Sequence, residues 1–570
     1  MNKYYSSEKN VQILIALLKE HGIRKVIVSP GATNVCFVGS IQNDEWFDIY
    51  SCVDERSAAY MACGLAAETG EPVVLSCTGA TASRNYIPGL TEAYYRKLPI
   101  LAITSTQHIG RIGNNIPQVI DRTQCQKDIV KLSIHLPNIH DSEDKWAAEL
   151  NINRALIKLK DDGGSPVHIN LTTTYSKNFS VKVLPEVKVI KKIRYGENFP
   201  KIMGTKIGIF VGAHKKWSKE LSELVDKFCA KYNGVVFCDH TSNYKGKYRI
   251  NGNLICSQPQ RSSIFKNLNT IIHMGEISGA YMDIFSKEVW RIDLDGEIKD
   301  TYKRLTYTFE MKEEDFFRGY IRIEDKNIEE EFTYLEECKK KIETLLNKIP
   351  ELPFSNIWIA KNSINLIPKN AVLHLGILNS LRAWNYFDIP NEVLCFSNTG
   401  GFGIDGILSS VVGASLANDK KKYFCILGDL AFFYDINALG NCHIGNNLRI
   451  MLINNGKGTE FKNYSHNAAH FGDKADKYIA AAGHFGNKSK FLVKNFVENL
   501  GFNYISASNK KEYLESVEYF FNDNKSDRSI VFEVFTESFE ESEALKIIEN
   551  LEVEKKTRIK SIIKRFLRKV

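Results

Sequence analysis

Short apolar runs alternate with helix-like segments along most of the chain. In residues 10–175 the runs are KVIVSP, PVVLSCTG and LPILAITST, and amphipathic stretches such as AAYMACGLAAETG separate them. The alternation returns in KIGIFVGA, GVVFCDH, TIIHMGE and VWRIDLDG, and again in AVLHLG, VLCFSN, KKYFCILGDL, LRIMLINN and SIVFEVF. Strands that alternate with helices predict parallel sheets covered by helices. The pattern therefore predicts an α/β fold.

The chain is 570 residues long, which is too long for one ordinary domain. The three blocks predict three consecutive doubly wound parallel-sheet domains, which we place at 1–180, 190–345 and 352–545, followed by a tail at 546–570. The segment 186–205 is rich in Lys, lacks periodicity and is expected to be a linker. The similar sizes of the blocks suggest internal duplication without proving it.

The tail is basic and amphipathic. Residues 555–570, KKTRIKSIIKRFLRKV, carry eight Lys or Arg and no acid, so they account for the whole net charge of +8. One helical face is apolar, and it comprises Ile559, Ile562, Ile563, Phe566, Leu567 and Val570. This helix could lie on an anionic membrane or a partner, or it could pack on its own subunit. Because the rest of the chain is electrically balanced, we expect no nucleic-acid binding.

The composition is typical of a cytoplasmic protein. No window approaches the roughly 20 apolar residues of a membrane span. The N-terminal segment lacks the apolar core of a signal peptide. The 12 cysteines contain no C-x-x-C pair, so neither a zinc site nor a compact disulfide framework is indicated. Most cysteines are expected to be reduced.

One pair of strand ends carries candidate metal ligands. In KKYFCILGDLAFFYDINALGN an apolar strand ends at Gly428, Asp429 follows it, and a helix begins soon after. Open α/β sheets bind ligands at this edge, and the later strand LRIMLINN would bring Asn455 to the same edge. Carboxylate and amide oxygens suit Mg²⁺, while N–H groups near Leu430 and Ala431 could hold phosphates. A helix-capping Asp and an ordinary Asn-Asn-Gly turn are the alternative.

The Gly-Asp pair, followed about 25 residues later by Asn-Asn, resembles the diphosphate-binding motif of thiamine diphosphate (ThDP) enzymes. VDERSAAYMACGLA, at 53–66, resembles the segment in which those enzymes carry a cofactor-activating glutamate, here Glu55. A helix cap or a solvated acid is the alternative for Glu55. SPGATN (29–34), PQVIDRTQCQKDIVKLSIHLP (117–137) and SNTGGFGIDGILSSVVGAS (397–415) are similar to segments of the MenD family, the ThDP-dependent synthases of menaquinone biosynthesis.

The resemblance implies a ThDP site with Mg²⁺. Glu55 would hydrogen-bond the aminopyrimidine ring, and Gln118 would face the reacting end of the cofactor unless it is a surface amide. Ile404 would be the apolar wedge that bends the cofactor, or else a plain core residue. The other cofactor-binding residues would be Gly403, Gly428, Asp429, Leu430, Ala431 and Asn455. The metal ligands would be Asp429, Asn455 and the carbonyl of Lys457, where the family usually has glycine.

The expected substrate end departs from the family. Where MenD carries arginines for its carboxylate-rich substrates, this chain has Thr33, Gln107, Trp384 and Thr399. Arginine is favoured for bidentate carboxylate recognition, so we expect substrates other than 2-oxoglutarate and isochorismate. Arg382 could still receive one carboxylate, or it could be a helix-surface arginine.

The function implied by the resemblance is that of a carboligase. It would decarboxylate a 2-oxo acid and pass the acyl-anion equivalent to a carbonyl or enone acceptor. The cofactor would lie between the first and third domains of two subunits of a homodimer or homotetramer. The alternatives are a simple decarboxylase, an acetolactate-synthase-like enzyme and a silent scaffold subunit. A nicotinamide oxidoreductase is disfavoured because no G-x-G-x-x-G follows a predicted strand.

Overall fold

The computed structural model describes residues 4–204, 206–259, 263–265, 268–280, 282–323, 333–522 and 526–553. The predicted tail helix at 555–570 lies outside these residues. The chain divides into two compact units, Met1–Arg194 with Asp295–Glu310, and Tyr195–Leu294 with Met311–Val570. The three domain boundaries given above stay a prediction. None of the described helices is both long and apolar enough to span a membrane.

The first unit contains a six-stranded parallel sheet in the order β2-β1-β3-β4-β6-β5. Its strands are β1 Lys25–Val28, β2 Asp48–Ser51, β3 Val73–Cys77, β4 Ile100–Thr106, β5 Leu132–Leu136 and β6 Val167–Thr172. Its helices are α1 Lys9–Glu20, α2 Val35–Ile41, α3 Glu55–Thr69, α4 Thr81–Asn85, α5 Ile87–Arg96 and α6 Ser142–Lys158. Every residue of β3 and β4 is buried, as expected where helices cover both faces.

The central part of the chain begins with β7 Lys191–Arg194, which pairs in parallel with β13 Leu305–Glu310 inside the first unit. The expected linker at 186–205 therefore contains a strand. In the second unit, five parallel strands follow the order β10-β9-β8-β11-β12. They are β8 Ile207–Val211, β9 Gly234–Cys238, β10 Arg249–Asn251, β11 Leu268–Met274 and β12 Ser286–Asp293. The accompanying helices are α7 Lys219–Tyr232, α8 Asn253–Cys256, α9 Glu313–Arg322 and α10 Tyr334–Leu346.

The C-terminal sheet repeats the strand order of the first sheet, as β15-β14-β16-β17-β19-β18. Its strands are β14 Val372–Leu375, β15 Leu394–Phe396, β16 Tyr423–Gly428, β17 Leu448–Asn454, β18 Asn503–Ala507 and β19 Ile530–Phe535. Its helices are α11 Asn356–Ser363, α12 Asn379–Trp384, α13 Ile407–Ser415, α14 Asp429–Tyr434, α15 Leu492–Asn499, α16 Lys510–Phe521 and α17 Ser538–Ile548. Three parallel sheets with helices between their strands confirm the predicted α/β class.

Candidate active site

Two neighbouring strand ends of the C-terminal sheet carry the predicted metal ligands. β16 and β17 pair in parallel, with Gly428 opposite Ile453. Asp429 follows β16 directly and is the first residue of α14, while Asn455 follows the last residue of β17. The two side chains therefore start from the same edge of the sheet.

The oxygens at this edge are suited to a cation. Asp429 is 2% exposed, and its Oδ1 accepts a hydrogen bond from the N–H of Leu430 at 2.8 Å. Asp429 Oδ2 and Asn455 Oδ1 are buried and have no hydrogen-bond partner among the described residues. A buried oxygen without a partner is costly, and Mg²⁺ prefers carboxylate and amide oxygens. These residues therefore fit a hard divalent cation.

The turn after β17 depends on glycine. Gly456 has φ +76°, and a Cβ at this position would lie 2.1 Å from Asn487 Nδ2. The carbonyl of Lys457 accepts a hydrogen bond from the N–H of Thr459 at 2.9 Å, which leaves one lone pair for another partner. The Lys457 ammonium is paired with Asp476 at 2.6 Å. Lys457, at a position where the family usually has glycine, therefore still offers its backbone carbonyl, and its side chain forms a separate ion pair.

Two groups beside this edge were not predicted from the sequence. Glu533 in β19 is buried, and it accepts hydrogen bonds from Asn454 Nδ2 at 2.6 Å and from the Tyr504 hydroxyl at 2.7 Å. Burial raises the pKa of Glu533, and the nearby charge of Asp429 acts in the same direction. An acid within the apolar run SIVFEVF was the available signal. His484 Nε2 lies 3.3 Å from Asp429 Oδ2, and no spacing rule indicated it.

The loop after β15 carries the predicted wedge. Ile404 is half-buried and packs on the C-terminal core. Gly403 precedes it, and a Cβ there would lie 2.3 Å from Asp405 Oδ1. Thr399, in the same loop, is buried. Phe402 has φ +53°, a conformation that is uncommon for a bulky residue. The loop therefore has an uncommon backbone conformation two residues before Ile404, the expected wedge.

The two residues named on α12 are already engaged. Trp384 is fully buried, and its Nε1 donates to Asn356 Oδ1 at 3.2 Å. Arg382 donates from Nη1 and Nη2 to the two carboxylate oxygens of Glu460 at 2.8 and 2.9 Å. Bidentate pairing of this kind uses the geometry that a substrate carboxylate would otherwise take. Trp384 is a core residue, and Arg382 has an acidic partner within its own unit.

In the first unit, Glu55 lies at the carboxyl edge of the first sheet. It is the first residue of α3, whose N-terminus is capped by Asp54 through the N–H of Arg56 at 2.9 Å. Glu55 is half-buried, and its Oε2 accepts a hydrogen bond from Asn85 Nδ2 at 3.3 Å. Asn85 was not predicted from the sequence. It constrains the orientation of the Glu55 carboxylate.

The threonine and the glutamine in place of two expected arginines have partners in the same unit. The Thr33 hydroxyl lies 2.6 Å from the Thr78 hydroxyl and donates to the carbonyl of Ser105 at 2.9 Å. Gln107 follows β4, and its Nε2 donates to the Tyr175 hydroxyl at 2.9 Å. These contacts join the loops at the carboxyl ends of the strands. The Thr33 side chain is buried and, unlike an arginine, has no charge with which to bind a carboxylate.

Gln118 is exposed and has φ +65°. Residues other than glycine in this region of φ are uncommon and cluster at functional sites. The backbone of Gly79 comes close to it, since a Cβ on Gly79 would lie 2.9 Å from the Gln118 carbonyl oxygen. Gln118 therefore projects from a segment that packs against the loop after β3.

Residues 9–125 match the family described as thiamine pyrophosphate enzyme, N-terminal TPP binding domain. Over nearly the whole chain, the protein is similar to proteins named 2-succinyl-5-enolpyruvyl-6-hydroxy-3-cyclohexene-1-carboxylate synthase. The relative from Bacteroides fragilis is 30% identical over 564 residues, which cover 95% of this chain and 98% of the relative. The relative from Bacteroides thetaiotaomicron is also 30% identical, with the same coverage. The relative from Flavobacterium johnsoniae is 28% identical and covers 94% of this chain and 97% of its own.

Proposed function

The chain belongs to the thiamine diphosphate-dependent enzyme family that includes the 2-succinyl-5-enolpyruvyl-6-hydroxy-3-cyclohexene-1-carboxylate synthases, and we propose that it is a Mg²⁺-dependent carboligase with different substrates. It decarboxylates a 2-oxo acid and transfers the acyl group to a carbonyl or enone acceptor. When bound, ThDP supplies the nucleophilic carbon and the electron sink that this decarboxylation needs.

The metal in this proposal is held by Asp429 Oδ2, Asn455 Oδ1 and the Lys457 carbonyl. The first two are the buried oxygens that have no hydrogen-bond partner among the described residues, and this supports the assignment. Leu430 and Ala431, in the first turn of α14, are assigned to the diphosphate, which would share the Leu430 N–H with Asp429 Oδ1. Gly428 ends β16 directly before that helix, and Gly403 and Ile404 support the cofactor from the loop after β15.

The proposed catalytic groups come from the first unit. Glu55 holds a proton at the aminopyrimidine of ThDP, and the hydrogen bond from Asn85 Nδ2 at 3.3 Å orients its carboxylate. Gln118 contacts the substrate end of the cofactor, and its exposed side chain supports this role. Both residues follow strand ends at the carboxyl edge of their sheet, where doubly wound folds bind ligands.

The proposal of different substrates rests on the contacts made by the residues that stand where the family carries arginine. The Thr33 hydroxyl and the Gln107 amide are hydrogen-bonded to neighbouring side chains. Trp384 lies in the protein core and Thr399 is buried. Arg382 pairs with Glu460. Arg111, whose Nη1 donates to Gln107 Oε1, supplies one positive charge near these positions, which suits one carboxylate rather than several. We therefore propose a donor with a single carboxylate, the one that leaves as CO₂.

The test is CO₂ release from 1-¹³C-labelled 2-oxo acids by the purified protein with ThDP and Mg²⁺. The panel contains pyruvate, 2-oxobutyrate, phenylpyruvate and 2-oxoglutarate, each without an acceptor and with an aldehyde, a ketone, an enone or isochorismate. We expect release from a monocarboxylic donor and faster release with one acceptor, which is consumed. The Glu55→Gln protein is the control. Release from 2-oxoglutarate with isochorismate as the preferred pair would instead assign the reaction of the named relatives.

We also propose a homodimer or homotetramer in the cytoplasm. Residues in and just before α3 present large apolar side chains to solvent, with Val53 77%, Tyr60 47% and Met61 44% exposed, which favours a protein–protein contact on this face. The 12 cysteines are all free thiols, as is usual in a reducing compartment. Light scattering of the active protein tests the assembly, and a fully active monomer would exclude it.

A further inference from the structure

A cavity of about 130 Å³ lies inside the first unit, apart from the residues assigned to catalysis. Tyr86, Leu90, Thr104 of β4 and His168 of β6 are among the residues that line it, together with residues of the segment 122–129. Since one water molecule occupies about 30 Å³ in the liquid, the space equals roughly four waters. It has room for a carboxylate or phosphate group.

The charged side chains that line the cavity are all basic. The residues that line the cavity include Arg84 and Arg122 and no Asp or Glu. Arg122 is 3% exposed, and it donates from Nη1 to the Thr78 carbonyl at 3.3 Å and from Nη2 to the Ser105 carbonyl at 2.9 Å. Its Nε has no partner within the described part of the chain. A buried cation that meets only carbonyl groups is strongly disfavoured unless an anion accompanies it.

The other ionisable groups in the cavity do not compensate this charge. His168 is enclosed, with Nε2 2.7 Å from the Thr104 hydroxyl and Nδ1 2.7 Å from the Ser133 hydroxyl. Burial lowers the pKa of His168 to about 3, so it is neutral. Burial raises the pKa of the Cys125 thiol, so it is protonated. Burial lowers the pKa of Arg122 to about 10, which still leaves the guanidinium charged at neutral pH.

We propose that this cavity binds a small oxyanion, a carboxylate or phosphate group, with the Arg122 guanidinium as its ionic partner. Tyr86 also lines the cavity, and its buried hydroxyl lies beside Cys77 and Ser29, from which it can rotate to donate to the anion. The anion also stabilises the loop after β3, because Arg122 holds the Thr78 carbonyl. A Cβ on Gly79 would lie 3.7 Å from Arg122 Nη2, so the guanidinium lies directly beneath this loop.

The first experiment measures thermal unfolding of the full chain with ThDP and Mg²⁺ at constant ionic strength. Sodium gluconate, too bulky for the cavity, is replaced stepwise by acetate or phosphate. We expect the unfolding midpoint to rise, because an anion at 100 times its Kd raises the folded-to-unfolded ratio about 100-fold. A response to acetate assigns a carboxylate, and a response to phosphate alone assigns an inorganic oxyanion. No response to either anion overturns the proposal.

The matched variants are Arg122→Gln and Arg96→Gln. Arg96 is at the end of α5, its side chain is 52% exposed, and its partner is Glu92 at 3.4 Å. The anion response should disappear in Arg122→Gln and persist in Arg96→Gln, and an unchanged response in Arg122→Gln overturns the proposal. If Arg122→Gln does not fold, the anion site is tested instead in wild-type crystals soaked in bromide. An anomalous peak beside Arg122 supports the site, and its absence rejects it. Neither readout depends on turnover, so the result is independent of the proposed carboligase activity.

Discussion

Glu541 makes the stability of the second unit depend on pH. It lies in the first turn of α17 and is buried. Its two carboxylate oxygens accept the N–H of Asn356 at 3.0 Å each, and Oε1 also accepts the Thr536 hydroxyl at 2.8 Å. Burial outweighs these hydrogen bonds and raises the pKa of Glu541 from 4.5 to about 7. The folded protein therefore keeps a proton that the unfolded chain releases between these two values.

The sign follows from this difference in proton binding. A folded-state pKa above the unfolded value contributes stability that is fully present below pH 4.5 and is lost as the pH rises through about 7. Because one pKa unit corresponds to roughly 1.4 kcal/mol, the contribution falls by about 2–3 kcal/mol between pH 5 and pH 8. The amide that Glu541→Gln introduces does not titrate, yet its oxygen can still accept the Asn356 N–H. We expect the substitution to remove this part of the pH dependence.

The assay is urea unfolding of the wild type and Glu541→Gln at pH 5, 6, 7 and 8. Hydrogen exchange of the peptide that contains Asn356, corrected for the intrinsic effect of pH, locates the change. The difference in unfolding free energy between the two proteins should shift by about 2–3 kcal/mol from pH 5 to pH 8. Parallel pH profiles of the two proteins would refute the reasoning, because Glu541 would then have the same pKa in both states.

Three further predictions concern the proposed active site. Glu55→Gln should lower CO₂ release by about 10²- to 10⁴-fold, the usual range for a lost proton-transfer group, while ThDP binding followed by fluorescence stays near wild type; full activity would contradict the role. Asp429→Asn should weaken Mg²⁺-dependent ThDP binding, because it removes a charged oxygen ligand, whereas an unchanged Mg²⁺ titration would exclude the metal site. At Gly456, φ is +76° and an added Cβ would lie 2.1 Å from Asn487 Nδ2. Gly456→Ala should therefore destabilise the fold by about 1–2 kcal/mol from backbone strain alone and impair cofactor binding. Gly440→Ala, where a Cβ meets nothing within 4 Å, is its control, and equal ThDP affinity in the two variants would show that the turn tolerates a side chain.

The fold class was readable from the sequence because buried parallel strands are continuous apolar runs. PVVLSCTG and LPILAITST became β3 and β4, whose residues are all buried. The strand order was not readable, since a run of apolar residues does not reveal which strand it pairs with. The first and C-terminal sheets turned out to share one order, whereas the five central strands follow another. The shared order supports the suggested duplication for these two sheets.

The placement of Asp429 beside the Asn454 and Asn455 pair was predictable for a related reason. Both segments follow apolar strands, and parallel strands that are neighbours end at one edge of a sheet. The observed register of Gly428 opposite Ile453 agrees with that expectation. Glu533 and His484 were missed because each reaches this edge from a segment far along the chain, and no local spacing connects them to Asp429.

The sequence by itself determined the α/β class, the strand ends that carry the candidate ligands and the resemblance to ThDP enzymes. These depend on local periodicity and on residues close together in the chain. Only the tertiary structure decided that Arg382 pairs with Glu460 and that the Thr33 hydroxyl joins Thr78 and Ser105. It also decided that Arg122 is buried with no carboxylate partner in the described part of the chain. Such contacts join residues 17 to 78 positions apart, and burial decides their energy because it removes the water that would otherwise satisfy each charge.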